Sequence, residues 1–170
     1  VLVGAERPTL TQIRLLRRIA EQDLEESRKL QALHQDGLSG PKDDLKTRQA
    51  ILAYALGFFS DAEEALGEAK DPYAQAILGL INSALGDFAE AKNLLAVAAK
   101  TLPEAKAEVV RAAIDGNLLD EAEKGLAGVP EGPERDFLQG RIHESRGATE
   151  QAINAYEAAL EQNPEHVEAA

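Results

Sequence analysis

The feature that constrains this chain most is a layout of residues that recurs about every thirty positions. Four segments each contain a helical stretch, a glycine and a second helical stretch; the glycines are Gly57, Gly86, Gly116 and Gly147. An alanine stands a few residues after each glycine, and these alanines are separated by 29, 31 and 30 residues: Ala62, Ala91, Ala122 and Ala152. A near-constant period of this length indicates an array of stacked repeats.

The boundaries of the helical stretches carry matching local signals. A glycine directly after a helix accepts the left-handed backbone that ends it. Ser60 with Glu63 predicts a capping box at the start of a second helix, and Asp71-Pro72 and Asn163-Pro164 predict capped helix starts. The turn residues and the repeat period therefore predict the same helix boundaries.

Apolar residues recur at helical spacing within each unit, as at Ile77, Leu78, Ile81 and Leu85. A single helix hairpin cannot bury such a face, but stacked hairpins can. The hydrophobic fraction is 44% with only 4% aromatic residues, and this composition favours close helix packing over a sandwich or barrel. We therefore expect an all-α fold.

The second and fourth units resemble a known repeat. The second has Leu78-Gly79, Gly86-Asp87-Phe88, Ala91 and Pro103, and the fourth has Gly140, Gly147, Ala152, Tyr156, Ala159 and Pro164. These residues resemble the tetratricopeptide repeat, and residues 42–170 are identified as about four degenerate copies of it, none with the opening tryptophan. The resemblance implies a right-handed α-solenoid of stacked antiparallel helix hairpins and a non-catalytic protein–protein interaction scaffold.

The N-terminal part of the chain is predicted to lie outside the array. Residues 1–8 are expected to be extended, residues 9–41 to form a helix, or a helix broken in two, with a loop over 38–44, and residues 42–170 to form the array. Thr9 and Gln12 predict the helix start and Gly37 its end. The helix is interpreted as a cap on the first repeat; the alternative is an oligomerisation arm or an insert in the array's own groove. A further helix is predicted to begin at Pro164.

The charge of the chain bears on its partners. The net charge of −12 repels phosphate backbones, so we expect no binding of nucleic acid. The N-terminal arginines, interpreted as a solvated helix face paired with nearby glutamates, are Arg7, Arg14, Arg17 and Arg18. No apolar run is long enough to span a membrane and no signal-peptide core is visible, so the expected location is cytoplasmic.

No catalytic constellation is found in the sequence. The chain has no cysteine, and His34, His143 and His166 lack the spacing of a metal site. No phosphate-binding glycine loop and no nucleophile elbow occur. We therefore expect no enzyme activity, cofactor or metal; a repeat-type enzyme with an unrecognised site is an alternative.

The resemblance implies that the first helices of the hairpins line a concave groove for a peptide or helix. Counting back from each turn glycine gives the predicted lining: Ile51, Tyr54, Tyr73, Leu80, Lys106, Val110, Phe137 and Arg141. The Lys and Asn clamp with which one subgroup of the family binds C-terminal carboxylates is missing, since its positions hold Thr47, Ile51, Ala76 and Leu80. The mixed lining favours an extended apolar segment or an amphipathic helix, and the acidic surface favours a partner with basic flanks. The alternatives are a structural or oligomerisation module, including a homo-oligomer, or the repeat portion of a larger multidomain protein.

Overall fold

The computed structural model describes residues 7–38, 42–67, 70–164 and 166. These residues form ten helices and no strand: α1 (Leu10–Gln22), α2 (Leu24–Asp36), α3 (Lys42–Leu56), α4 (Phe59–Leu66), α5 (Pro72–Leu85), α6 (Phe88–Ala98), α7 (Ala105–Asp115), α8 (Leu119–Leu126), α9 (Pro133–Ser145) and α10 (Thr149–Gln162). Most of the extended segment predicted over 1–8 and the helix predicted after Pro164 lie outside the described residues.

The helices from α3 onwards form four antiparallel hairpins, α3–α4, α5–α6, α7–α8 and α9–α10. Each second helix packs on the first helix of the next hairpin, and successive first helices also touch one another. The prediction of an all-α solenoid is confirmed. Its core consists of two clusters, one centred on α3, α5 and α6 and the other on α7, α8 and α9.

The turns inside the hairpins follow the predicted chemistry, with one correction. Gly57, Gly86 and Gly147 have φ of 80°, 84° and 75°, as predicted for residues that end helices. Gly116 has φ of −80°, and the left-handed residue of its turn is Asn117 with φ of 57°. With Asn117 in that place, the left-handed residues are 29, 31 and 30 positions apart, the same spacings as the alanines. Gly116 is needed for another reason: an added Cβ would lie 2.9 Å from the Cβ of Phe88.

Some of the predicted helix starts are confirmed, and others are wrong. The Thr9–Gln12 capping box forms, and the Asp71 side chain accepts a hydrogen bond from the N–H of Ala74. The predicted Ser60 box does not form, because the N-cap of α4 is Phe58, two residues earlier, and Ser60 already lies inside the helix. The loop predicted over 38–44 is also too long, since α3 begins at Lys42.

The N-terminal region consists of two helices rather than one. Asp23 separates them, and its side chain accepts hydrogen bonds from the N–H groups of Glu25 and Glu26 at the start of α2. Helix α2 packs against α3 at the end of the array, as a capping helix does. Helix α1 takes a different path, onto the face formed by the first helices of the hairpins.

Candidate functional site

Helix α1 contacts the first helices of several hairpins. Arg17 Nη1 donates a hydrogen bond of 3.0 Å to the main-chain oxygen of Tyr54 on α3. The hydroxyl of Tyr73 on α5 donates to the carbonyl of Pro8, just before α1, at 2.5 Å. Arg14 Nε lies 3.0 Å from Glu108 Oε1 on α7. Both N-terminal helices therefore pack on the first repeat, as the cap interpretation predicted, but α1 also lies across the face formed by the first helices, as the alternative of an insert in the array's own groove predicted.

One face of α1 is buried against the array. The side chains of Leu10 and Ile13 are 1% and 0% exposed and belong to the main core cluster. Leu15 and Ile19, on another face of the same helix, remain 41% and 37% exposed. Burying side chains of this size stabilises the docked helix by about 1.5–3 kcal/mol each.

The start of the α1 segment meets carboxylates at the beginnings of three first helices. Arg7 lies 3.8 Å from Asp44 at the start of α3 and 3.5 Å from Asp71 before α5. The main-chain N–H of Leu10 donates a 3.1 Å hydrogen bond to Glu104, which precedes α7. Because the first N–H groups of a helix have no partner within it, Glu104 acts as an external cap of α1.

Further along α1, Arg14 enters a mostly buried charge network that joins three helices. Its partners are Glu108 on α7, whose side chain is 4% exposed, and Glu134 on α9 at 4.0 Å. Arg111 completes the network, 2.6 Å from Glu134 and 3.9 Å from Glu108. The prediction of a solvated arginine face was wrong for Arg14, because the array supplies the carboxylates that compensate its burial.

Two tyrosines line the docking surface of α1. The guanidinium of Arg17 lies 5.3 Å from the ring centre of Tyr54, and that of Arg7 lies 5.2 Å from the ring centre of Tyr73. Burial raises the pKa of Tyr54 to about 12. Burial, and after it the charge of Glu104, also raises the pKa of Tyr73. Both phenols are therefore neutral at physiological pH and serve as packing and hydrogen-bonding surfaces.

An open cleft of about 280 Å³ remains on the concave face beside α1. Its lining comes from α1 and all four first helices: Arg14, Arg17, Tyr54, Leu80, Ser83, Ala84, Glu108, Arg111, Asp115 and Arg141. Arg141 and Asp115 face each other across it at 2.9 Å. Three predicted lining residues, Tyr54, Leu80 and Arg141, thus meet in one cleft.

The other predicted lining residues lie elsewhere. Tyr73 contacts the α1 segment, and Ile51 is 1% exposed within the core. Phe137 is buried, with its ring centre 5.7 Å from that of Tyr156 and 5.1 Å from that of His166. The guanidinium of Arg111 lies 5.1 Å from the ring centre of Phe137.

Lys106 and Val110 lie on the side of α7 that faces α8. A Cβ added at Gly125 would lie 3.1 Å from a methyl of Val110, and one added at Gly128 would lie 3.9 Å from Lys106. Their positions had been counted from Gly116, whereas the left-handed residue is Asn117. One residue turns a helix by about 100°. Counted from the left-handed residue, the sixth preceding position of the last three hairpins holds Leu80, Arg111 and Arg141, and all three line the cleft. In the first hairpin this position holds Ile51, which lies in the core.

Sequence reasoning missed the acidic partners of α1 and the role of Arg111. A usable signal was present: Glu108 and Arg111 stand three residues apart within the otherwise apolar run of α7, so they share a face that packing was expected to bury. The docking of α1 had no comparable local signal, because its partners are 37 or more residues away in the sequence.

The described residues lack two further features. None of the helices in this part of the chain has the length and apolar character needed to cross a lipid bilayer. Nor does any group of three His, Asp or Glu side chains there lie close enough together to hold a metal ion.

Comparisons with known proteins agree with this architecture. Residues 137–166, which include α10 and most of α9, match the family model of the tetratricopeptide repeat. A search of curated proteins finds no match. The solved structure of YrrB, a TPR protein with an unusual peptide-binding site, is 16% identical with a TM-score of 0.56, over 91% of this chain and 88% of that chain. The MamA RS-1 ArsTM double mutant is 18% identical with a TM-score of 0.49, over 92% of this chain and 78% of that chain. The repeat matched over residues 137–166, the four stacked hairpins and the fold shared with YrrB support the assignment of this chain to the tetratricopeptide repeat family.

Proposed function

We propose that this protein is a non-catalytic interaction scaffold whose concave face binds a helix or peptide of a partner protein. The observation that carries this proposal is helix α1, which lies on that face with Leu10 and Ile13 buried. A surface that holds one amphipathic helix has the shape and the mixture of apolar and charged groups to hold another. The description of YrrB as a TPR protein with a peptide-binding site supports the same reading.

The lining of the cleft also indicates the kind of contact. Tyr54 and Leu80, which are 4% and 3% exposed, form the apolar floor of the cleft, and the charged Arg141 and Asp115 lie beside them. This mixed lining suits side chains of both kinds. The positions at which one subgroup of the family carries its Lys and Asn clamp for terminal carboxylates are occupied in this chain by Thr47, Ile51, Ala76 and Leu80. Recognition therefore depends on side chains along a segment rather than on a terminal carboxylate.

Site-specific crosslinking in the source cells tests this function. A photoreactive amino acid replaces Ala84, which lines the cleft, and in a matched variant it replaces Val97, which is exposed on the second helix α6. We expect a discrete protein adduct from position 84, weakened by Arg141→Glu, and none of the same mass from position 97. Identical adducts from the two positions, or none from position 84, would contradict the proposal.

A second candidate function is self-assembly, with a second copy of this chain as the partner. The observation in its favour is the exposure of three large apolar side chains of the N-terminal helices: Leu15, Ile19 and Leu24 are 41%, 37% and 68% exposed. Light scattering decides the matter. A dimer mass that falls to a monomer in Leu15→Glu/Ile19→Glu supports assembly, and a monomer for the unaltered chain rejects it.

A further inference from the structure

We propose that the partner's segment is a basic amphipathic helix that takes the place of α1 on the concave face. This inference rests on the proposed function of that face as a helix-binding surface. It adds the chemistry of the partner and the condition under which the face is free to bind it.

The charges that receive α1 specify a basic partner. Carboxylates belonging to α3, α5, α7 and α9 or to the residues just before them contact the segment from Arg7 to Arg14: Asp44, Asp71, Glu104, Glu108 and Glu134. Of these, the side chain of Glu108 is buried at 4% exposed, and that of Glu134 is half-buried at 31% exposed. When α1 leaves, Arg111 still pairs with Glu134 and Glu108 and Arg48 still pairs with Asp44, so part of this negative charge stays compensated. The remaining carboxylates lose their partners, and this favours an occupant that brings cations.

The seated helix also gives the order of groups along such a partner. In its first turn, the side chain of Leu10 packs into the core cluster, and the main-chain N–H of Leu10 donates a hydrogen bond to Glu104. A second apolar residue follows three positions later at Ile13, and arginines follow at Arg14 and Arg17. The apolar pair fills the core cluster, and the arginines reach α7, α9 and α3.

Helix α1 has the properties of an exchangeable occupant. It has 13 residues, and an isolated helix of that length is marginally stable in water, so its order depends on docking. It is separated from α2 by the break at Asp23, and its Leu15 and Ile19 face solvent. Because α1 is tethered in the same chain, a competing helix binds only while α1 is undocked. The apparent association constant of the competing helix is its intrinsic value multiplied by the fraction of molecules in which the face is open.

A binding experiment with the full chain tests the exchange. The probe is a fluorescently labelled synthetic peptide of residues 7–22, whose sequence is that of the helix already seated on the face. The proteins are the unaltered chain, Leu10→Glu/Ile13→Glu, which undocks α1, and the matched control Leu15→Glu/Ile19→Glu, which places the same charges on the exposed face. We expect the dissociation constant measured by fluorescence anisotropy to be lower by about tenfold or more for the undocked variant than for the other two proteins.

Altered peptides test the chemistry of the partner without changing the protein. The peptide carrying Arg14→Glu/Arg17→Glu is expected to lose binding to the undocked variant by about tenfold or more, because it presents like charges to Glu108 and Glu134. The matched peptide carrying Leu15→Ala/Ile19→Ala is expected to bind as the unaltered peptide does.

Each outcome bears on a separate statement. Equal affinity for the unaltered chain and the undocked variant would overturn exchange and leave the proposed function standing. Two results would overturn the proposal of a basic-helix partner. One is that the peptide does not bind an undocked variant whose circular dichroism is that of a folded helical protein. The other is that the charge-reversed peptide binds as tightly as the unaltered peptide. The crosslinks from position 84 would still decide the proposed function. If Leu10→Glu/Ile13→Glu fails to fold, the milder Leu10→Ala/Ile13→Ala replaces it, and its affinity should exceed that of the unaltered chain.

Discussion

The ion pair between Arg14 and Glu108 gives a quantitative test of whether α1 lies on the concave face in solution. The pair joins α1 to α7 at 3.0 Å, with side chains 16% and 4% exposed. Removing one partner of a buried pair costs about 3–5 kcal/mol. Arg111 at 3.9 Å from Glu108 and Glu134 at 4.0 Å from Arg14 offer partial replacements. We therefore expect each single substitution, Arg14→Met or Glu108→Leu, to lower the free energy of unfolding by about 2–3 kcal/mol.

The double substitution removes both charges and leaves two apolar side chains in contact, so it should cost much less than the two single changes added together. The expected coupling free energy is about 2 kcal/mol. Urea denaturation followed by circular dichroism measures all four proteins, with the slope against urea checked for constancy.

The matched control is the pair Arg17–Glu21, which lies within α1 at 2.5 Å and whose glutamate is 54% exposed. Its coupling should be only about 0.3–0.5 kcal/mol, as for other exposed pairs one helical turn apart. A coupling for Arg14 and Glu108 within about 0.5 kcal/mol of zero would refute the contact, because independent sites add to within that margin.

Two further predictions follow from the packing and the tyrosines. In Gly79→Ala the new Cβ would lie 2.6 Å from Cγ of the fully buried Leu95, so urea denaturation should show a loss of about 1–3 kcal/mol; Gly125→Ala, which meets one methyl at 3.1 Å, should lose less. Burial raises the pKa of Tyr54 to about 12, and burial with a hydrogen bond to Glu144 raises that of Tyr156 to about 12. Their contribution to stability is therefore complete below about pH 10, the pKa of an unfolded tyrosine, and is lost as the pH rises through about 12. Phenolate absorbance of the folded protein should appear later in an alkaline titration than that of the urea-unfolded chain, and superimposed curves would contradict the burial of these rings.

The array could be predicted from the sequence because its signals are local. A left-handed turn residue, an alanine a few positions later and an apolar stripe at helical spacing all act within one hairpin, and the period repeats them. The Thr9 capping box was predictable for the same reason, since it joins residues three positions apart.

The groove could be predicted only in part, because its register depends on the residue that makes the turn. Counting from Gly116 rather than Asn117 turned attention from Arg111 to Val110, which faces α8. Glycine is the usual choice for a left-handed position, but asparagine also tolerates it, so sequence alone left the register open.

The docking of α1 could not be predicted from local chemistry. Thr9 and Gly37 define where the N-terminal helical region begins and ends, but the path of α1 is determined by Glu108 and Tyr54, which come from other parts of the fold. The arginine pattern of α1 fits a solvated face as well as a docked one until the positions of those partners are known.

Paramagnetic relaxation in NMR spectra tests the placement of α1 most directly. The chain has no cysteine, so Leu15→Cys, at an exposed position of α1, allows a single spin label. If α1 lies on the concave face, the label should broaden the amide signals of Glu108 and Arg111 on α7 as well as those of α3. Broadening confined to α2, α3 and α4 would place α1 at the end of the array and contradict this account.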